Sequence, residues 1–427
     1  MENNTSENND KPEIPVEKPG LRAYLFKPAG IAAITVAAAA SICLLIALIL
    51  SDNSETTAAA QQDKTQAQQA SADNPKDQSN PQVNLYEEPM EDDLDDLVKL
   101  VDLTLINTLK DSKISMRDLK LEDVSLKKHQ GRDFHFQQLR FPYAGDKKKF
   151  IEKVQNGLKT TALNASIHEI AADSWLISIN GVPTHKFFIF APIAKKKRPN
   201  RKADPNAPKM AIVIDDMGED VALAKGLAAL DVHITFSIWP NSSHVKKTLA
   251  IAKKNGNEIM VHLPMQPKGY PKVNPGSDAL LVGMKADKIQ QTVNAAIKKV
   301  PGAKGLNNHM GSLFTENYAG MTQVMTQLKQ RDLFFLDSRT TPKSVGPKAA
   351  IKKGVTVYER NIFLDNVKDI GAIKYQLSKT AKIAKKRGQA IAIGHPNWET
   401  LKAIKQWAKE NQGKVNFVPV ESLIPKG

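Results

Sequence analysis

Five short apolar runs in the second half of the chain end in residues able to do acid, base or ligand chemistry. Asp215 and Asp216 follow the run 210–214, and His262 closes 259–263. Asn307, Asn308 and His309 close the run that begins at 305, Asp337 and Arg339 follow 333–336, and His395 follows 390–393. One carboxylate and two histidines from separate segments form a ligand set that Zn²⁺ accepts while keeping a position open for water. Such water becomes acidic, a second carboxylate can take its proton, and amides or an arginine can meet the developing oxyanion. The pair Asp215 and Asp216 supplies two carboxylates at one place, one to ligate and one to act as base; Asn307, Asn308 and Arg339 are the amides and the arginine at these strand ends. Asp337 and Arg339 either pair with each other or hold substrate, and Arg339 has Asp365 as a second partner for a salt bridge. Trp239, followed by Pro240, either shapes the edge of a groove or fills the core. Each feature alone has an ordinary reading as a solvated or capping Asp pair, or as a packed, hydrogen-bonded histidine. His129, His135, His168, His185, His233 and His244 fall on other segments and read as surface or packing residues.

These positions act together only if the runs that end in them are parallel strands. Helical patterns near 221–230, 245–254, 286–300, 319–329, 369–387 and 397–411 alternate with the apolar runs, as crossover helices between parallel strands would. In parallel α/β folds the carboxyl ends of all strands share one face, so residues far apart in sequence converge there. Adding runs at 234–239, 355–358 and 417–420, residues 209–427 predict an α/β fold, a (β/α) barrel of seven or eight strands, complete or incomplete. A doubly wound open sheet is the runner-up.

The rest of the chain reads as what carries this domain. With 427 residues, 41% hydrophobic and 25% charged, the composition excludes a wholly disordered, collagen-like or polytopic membrane chain. A single cysteine, Cys43, excludes a disulfide scaffold and a cysteine-rich metal cluster. Residues 1–27 read as a polar cytoplasmic tail, and 31–50 form an uncharged apolar run long enough to cross a hydrocarbon core of about 30 Å. Lys18, Arg22 and Lys27 before the run and Asp52 and Glu55 after it predict a single-pass inner-membrane anchor over 28–50, with the remainder in the periplasm. A cleaved signal peptide is the competing reading. Residues 51–90 read as a flexible spacer, 91–193 as a small α+β domain without a chemical constellation, and 194–208 as a basic linker around Lys195, Lys196, Lys197 and Arg198. The net charge of +15 permits anionic partners. Export of the linker and an aromatic content of 6% argue against nucleic acid.

The segments Ala211-Ile212-Val213-Ile214-Asp215-Asp216-Met217-Gly218, Phe236-Ser237-Ile238-Trp239-Pro240, His262-Leu263-Pro264-Met265, Gly305-Leu306-Asn307-Asn308-His309-Met310-Gly311-Ser312, Phe335-Leu336-Asp337-Ser338-Arg339-Thr340-Thr341 and Ile393-Gly394-His395-Pro396 occur in this order. Together they resemble the divergent polysaccharide deacetylases, relatives of the NodB-type carbohydrate esterases, from about Lys209 to the carboxyl terminus. The resemblance implies a divalent metal, zinc by its donor set, at the mouth of a distorted barrel, and hydrolysis of acetyl groups on an N-acetylated polysaccharide or peptidoglycan-like glycan. It implies Asp215 as the base, Asp216 as a metal ligand and His395 as the histidine that protonates the leaving amine. Better-studied deacetylases carry two ligand histidines on one segment, separated by three residues, whereas His262 is followed by Leu-Pro-Met-Gln. The ligands are therefore expected to be His262 and His309 on neighbouring strands, with Asn308, Trp239 and Asp337 toward substrate and Arg339 toward the reaction. A non-catalytic glycan- or envelope-binding protein that retains the barrel is the alternative.

Overall fold

The computed structural model of the protein describes residues 94–426, apart from 117, 162, 163, 193–203 and 205. Helix α1 (Leu94–Asp111) opens with Asp95 and Asp96, where the helix dipole favours negative charge, and buries Val98, Val101, Leu105 and Leu109 along one stripe. That stripe belongs to the core under a five-stranded sheet of order β1-β2-β5-β4-β3. Its strands are β1 (Lys120–His129), β2 (Arg132–Pro142), β3 (Ala165–Ala171), β4 (Ser174–Ile179) and β5 (Val182–Phe190), with helix α2 (Lys147–Thr161) between β2 and β3. The expected strands around Phe134, Ile167, Trp175 and Phe187 are β2 to β5. β1 escaped sequence reading because a bulge between Leu121 and Asp123 breaks its alternation.

The second half alternates as expected: β6 (Lys209–Met217), α3 (Val221–Ala228), β7 (Thr235–Ile238), α4 (Val245–Asn255), β8 (Ile259–Met265), α5 (Ala286–Lys299), β9 (Gly305–Met310), α6 (Tyr318–Lys329) and β10 (Phe334–Asp337). Then come α7 (Gly346–Lys353), β11 (Val357–Glu359), β12 (Ile362–Phe363), α8 (Ile370–Arg387), β13 (Gln389–Gly394), α9 (Trp398–Glu410) and β14 (Asn416–Phe417). The strands pair in parallel along the path β11-β10-β9-β8-β7-β6-β13-β12, with β14 beside β6 off that path. The two ends of the path are consecutive in the chain, since β11 stops at Glu359 and β12 starts at Ile362. Three Cα steps reach at most ~11 Å, so the sheet must curl until its edges nearly meet. Arg360 N donates to Asp337 O on the β10 side at 3.0 Å, and Asn361 N donates to Ile391 O on the β13 side at 2.9 Å. This curl fits a distorted barrel and not a doubly wound open sheet. The expected eighth strand at 417–420 is only the short β14, which runs on into a 3-10 turn at Val420–Ser422.

Alternation along the strands sorts their side chains. Ala211, Val213, Met260, Phe334, Leu336, Phe363, Ile391 and Ile393 form a small inner cluster, while Ile212, Ile214, Val261, Leu263 and Phe335 belong to the larger core with the helices. Asp215, His262, Asp365 and His395 each stand two residues beyond a member of the inner cluster and so continue its face as the next layer. Gly305 keeps this interior filled, because a Cβ there would lie 2.3 Å from the ring of Phe334.

No helix connects β11 to β12, and the small α+β module covers that side, sharing one hydrophobic core with the barrel. A buried polar network pins the two. Asp102 Oδ1 accepts from Gln137 Nε2 at 2.8 Å and from Tyr375 Oη at 3.1 Å, His185 Nε2 lies 3.1 Å away, and Lys379 Nζ is 3.4 Å from Oδ2. Burial pushes the Asp102 carboxyl up, but Lys379 and the hydrogen bonds around it hold it below its ordinary value. Asp102→Ala leaves Lys379 buried without this partner, which is expected to cost about 3–5 kcal/mol in urea unfolding of the full chain. A loss below about 1 kcal/mol, the range of an exposed pair, would show that the network carries no load.

The structure corrects the expected localisation. Among the described residues no helix is long and apolar enough to cross a membrane. The longest, α1 and α8, carry Asp95, Asp96, Lys99 and Asp102, and Lys374, Lys379 and Lys382, charges that hydrocarbon rejects. The expected inner-membrane anchor with periplasmic domains thus finds no spanning helix among the described residues. The run 31–50 on which it stood, the tail 1–27, the spacer 51–90 and the basic cluster 195–198 lie outside the described residues.

Candidate active site

The site is built where three strands leave the sheet. In a regular strand Asp215 and Asp216 would point to opposite faces. The β6–β7 register shifts between Ile214 and Met217, and Asp216 sits at φ 52°. That bulge turns both carboxylates to one end of the sheet. Met310, after His309, and Arg339, after β10, adopt φ 52° and 51°. Non-glycine residues in this region are uncommon, and three at the carboxyl ends of β6, β9 and β10 mark backbone held by its surroundings. Gly311 follows at φ 88°, where a Cβ would come within 2.8 Å of the Met265 side chain.

β8 and β9 place the histidines. Their register sets His262 opposite Asn307 and Pro264 opposite His309. His262 Nε2 and His309 Nδ1 each lie 2.9 Å from Asp216 Oδ1, and 3.1 Å from one another. These separations are close to the roughly 3.3 Å between ligand atoms held at ~2.0 Å on a tetrahedron. One carboxylate oxygen and two imidazole nitrogens converge on a single point, a group that could hold a metal ion. The Trp239 indole stacks on His309 at 5.5 Å between centroids and 19° between planes, and its buried Nε1 has no hydrogen-bond partner. Trp239 thus braces a histidine, a contact that neither the groove-edge nor the core reading of its position anticipated.

Asp215 lies just inside, with 2% of its surface exposed, and its Oδ1 accepts from Asn307 Nδ2 at 2.8 Å. Burial pushes its carboxyl above the ordinary value, against the pull of His262 and His395. Burial also acts to raise Asp216, but His309 and His262 overcome it and hold that carboxyl well below its usual range. For His262 burial lowers the imidazole, yet Asp215 and Asp216 bring it to about 9. Two neighbouring carboxyls are thus driven in opposite directions, the arrangement that separates a base from a ligand.

His395 closes β13 at the same end. Asp365, fully buried just after β12, places Oδ1 2.9 Å from His395 Nδ1 and accepts from His395 N at 2.6 Å on Oδ2. Asn397 Nδ2 and Thr400 Oγ1 donate to the same Oδ2 at 3.1 and 2.7 Å. Burial lowers the His395 imidazole and the Asp365 carboxylate more than reverses it, so the group is raised. Asp365 thus fixes the orientation of the imidazole through Nδ1.

The other expected site residues lie differently. The Arg339 guanidinium pairs with Glu359 at 3.3 Å, not with Asp337, Asp365 or the His-Asp cluster, because its left-handed backbone turns the chain toward β11. It lines a cleft between module and barrel. Asp337 is buried and accepts from Arg339 N at 2.8 Å, so it holds the turn after β10. Asn308 is buried with Oδ1 accepting from Ser338 N and Nδ2 donating to Met310 O, so its amide is engaged in tying two loops together. Sequence reading passed over Asp365 as the partner of His395 and Asn307 as the partner of Asp215. Both stand in register with the inner cluster, which is the signal that could have found them.

The profile of the divergent polysaccharide deacetylases matches residues 212–424. The chain is similar to the uncharacterized protein YibQ of Escherichia coli (strain K12), 34% identical over 218 residues covering 51% of this chain and 68% of that one. It is also similar to an uncharacterized protein of Haemophilus influenzae (strain ATCC 51907 / DSM 11121 / KW20 / Rd), 39% identical over 215 residues covering 50% of this chain and 76% of the relative. Among solved structures it is similar to the uncharacterized protein ATU2773 from Agrobacterium tumefaciens C58, with 26% identity and a TM-score of 0.50 over 53% of this chain and 92% of that one.

Proposed function

The chain belongs to the divergent polysaccharide deacetylase family, and from that premise we propose a metal-dependent hydrolase that removes acetyl groups from the nitrogen of an N-acetylated glycan. The observation that carries this reading is the convergence of Asp216, His262 and His309 at 2.9–3.1 Å with Asp215 beside them and the His395–Asp365 pair on the same end of the sheet. The donor set of two imidazoles and one carboxylate suits zinc. When bound there, a divalent ion would polarise the acetyl carbonyl and acidify the attacking water.

The chain's own residues supply the proton transfers. Asp215, raised by burial toward the working range of a general base, takes a proton from water as oxygen attacks the acetyl carbon. His395, charged through Asp365, donates from Nε2 to the amide nitrogen as the C–N bond breaks. One water is consumed, and acetate and a free amine on the sugar are released.

The test is acetate release from chitin oligomers and peptidoglycan fragments. Zinc-loaded protein is expected to release acetate, a chelator to stop it, and added zinc to restore it. Absence of acetate from zinc-loaded protein on all of these substrates would sink the hydrolase reading.

A further inference from the structure

Asn307 sits between the two halves of this site and touches both. It is completely buried, on β9 beside His262 of β8. Its Nδ2 donates to Asp215 Oδ1 at 2.8 Å and to Ser338 Oγ at 3.1 Å. Its Oδ1 accepts from Ser237 Oγ at 2.6 Å and lies 2.8 Å from His262 Nδ1. A primary amide offers two donor and two acceptor positions, and here all four are engaged.

The chemistry of the partners fixes which end is which. A carboxylate only accepts, so the NH₂ group must face Asp215 and the carbonyl must face His262. A carbonyl also only accepts, so the hydrogen of the neutral His262 ring must sit on Nδ1. Without a metal the ring also carries a hydrogen on Nε2, toward Asp216 Oδ1 at 2.9 Å; a metal bound there would take the place of that hydrogen and meet the Nε2 lone pair, while the Nδ1 hydrogen stays directed at Asn307. Partners of this kind orient ligand imidazoles and set their basicity.

We propose that Asn307 is a positioning residue that performs two tasks with one carboxamide: its oxygen locks His262 in the tautomer that presents Nε2 as a ligand, and its nitrogen holds Asp215 in place as the base. This deepens the hydrolase reading and rests on it. The two tasks belong to opposite ends of the amide, so they separate by substitution. Asn307→Asp keeps an acceptor for His262 Nδ1 and loses the donor to Asp215. Asn307→Leu keeps the approximate volume and loses both.

The experiment measures zinc affinity on the full chain by competition with a chromogenic chelator, using zinc ion alone, beside kcat and KM for acetate release from chitin oligomers. Asn307→Leu is expected to bind zinc about 10–100-fold more weakly, the usual effect of losing a ligand's outer partner. Asn307→Asp is expected to keep zinc affinity within a few-fold, with kcat lowered about 100-fold and KM little changed, since an interaction with the base acts in the transition state. Unchanged zinc affinity in Asn307→Leu, or unchanged kcat in Asn307→Asp, would overturn the corresponding half. If Asn307→Leu does not fold, ¹⁵N NMR of the zinc-loaded parent reads the tautomer directly: a proton on His262 Nδ1 supports the assignment and a proton on Nε2 overturns it. A parent that binds zinc and shows the affinity split but releases no acetate would refute the hydrolase reading and leave the ligand-orienting role standing. A parent that binds no zinc would remove both.

Discussion

Asp215→Asn is expected to lower kcat for acetate release by roughly 10²–10⁴-fold, the contribution of a positioned general base, while zinc content remains stoichiometric. The substitution separates chemistry from structure because Asn keeps an oxygen that can accept from Asn307 Nδ2, the 2.8 Å bond that anchors the side chain. What disappears is the capacity to take a proton. Zinc content is the necessary companion measurement, since Asp215 Oδ1 stands 3.7 Å from His262 Nδ1, on the far side of the ring from the nitrogen assigned to the metal. A variant that retains turnover would remove Asp215 from the mechanism, and one that loses zinc would make it a ligand.

The second large effect belongs to His395. His395→Ala is expected to lower kcat by a comparable factor, roughly 10²–10⁴-fold, because the departing amine then leaves without a proton. Asp365→Asn is the more informative partner variant. The Asp365 carboxylate outweighs burial and raises the imidazole above its usual value, so the active, protonated form persists as pH rises and activity falls only as pH passes through that raised value. Without the carboxylate, burial dominates and the basic limb of the pH–kcat profile should move to lower pH. The same linkage applies to stability. The stabilisation from the pair is fully present below the unfolded histidine value of about 6.5 and is lost as pH climbs through the raised folded value. A basic limb that stays where it was in Asp365→Asn would assign it to another group.

Much of this was legible before any coordinates, for a physical reason. Parallel strands put their carboxyl ends on one face, so Asp215, Asp216, His262, His309 and His395 converge once the runs that precede them are read as strands. What sequence reading could not reach depends on angles and partners. Asp216 meets the two histidines only through a bulge and a left-handed residue, and no residue type in the run 210–217 announces that kink. Arg339 reads as an oxyanion contact by type, yet the same backbone conformation turns it toward Glu359. Asn308 and Asn307 are neighbours of identical type, and only the pleat decides that one ties loops while the other faces Asp215. The module at 94–192 gave no chemical signal because its contribution is a wall: its Asp102, Gln137 and His185 close on Tyr375 and Lys379.

The pair Arg360 and Asn361 has a mechanical meaning. They join the first and last rungs of the ladder through covalent bonds, so the ring formed by the strands behaves as a hoop of nearly fixed circumference. A hoop cannot dilate to admit a bulky polymer without tearing backbone pairing on one side of the joint. If the substrate is the proposed glycan, its accommodation would fall to the connections above the rim, chiefly the long segment 266–285, while the spacing of Asp216, His262 and His309 stays as the hoop sets it.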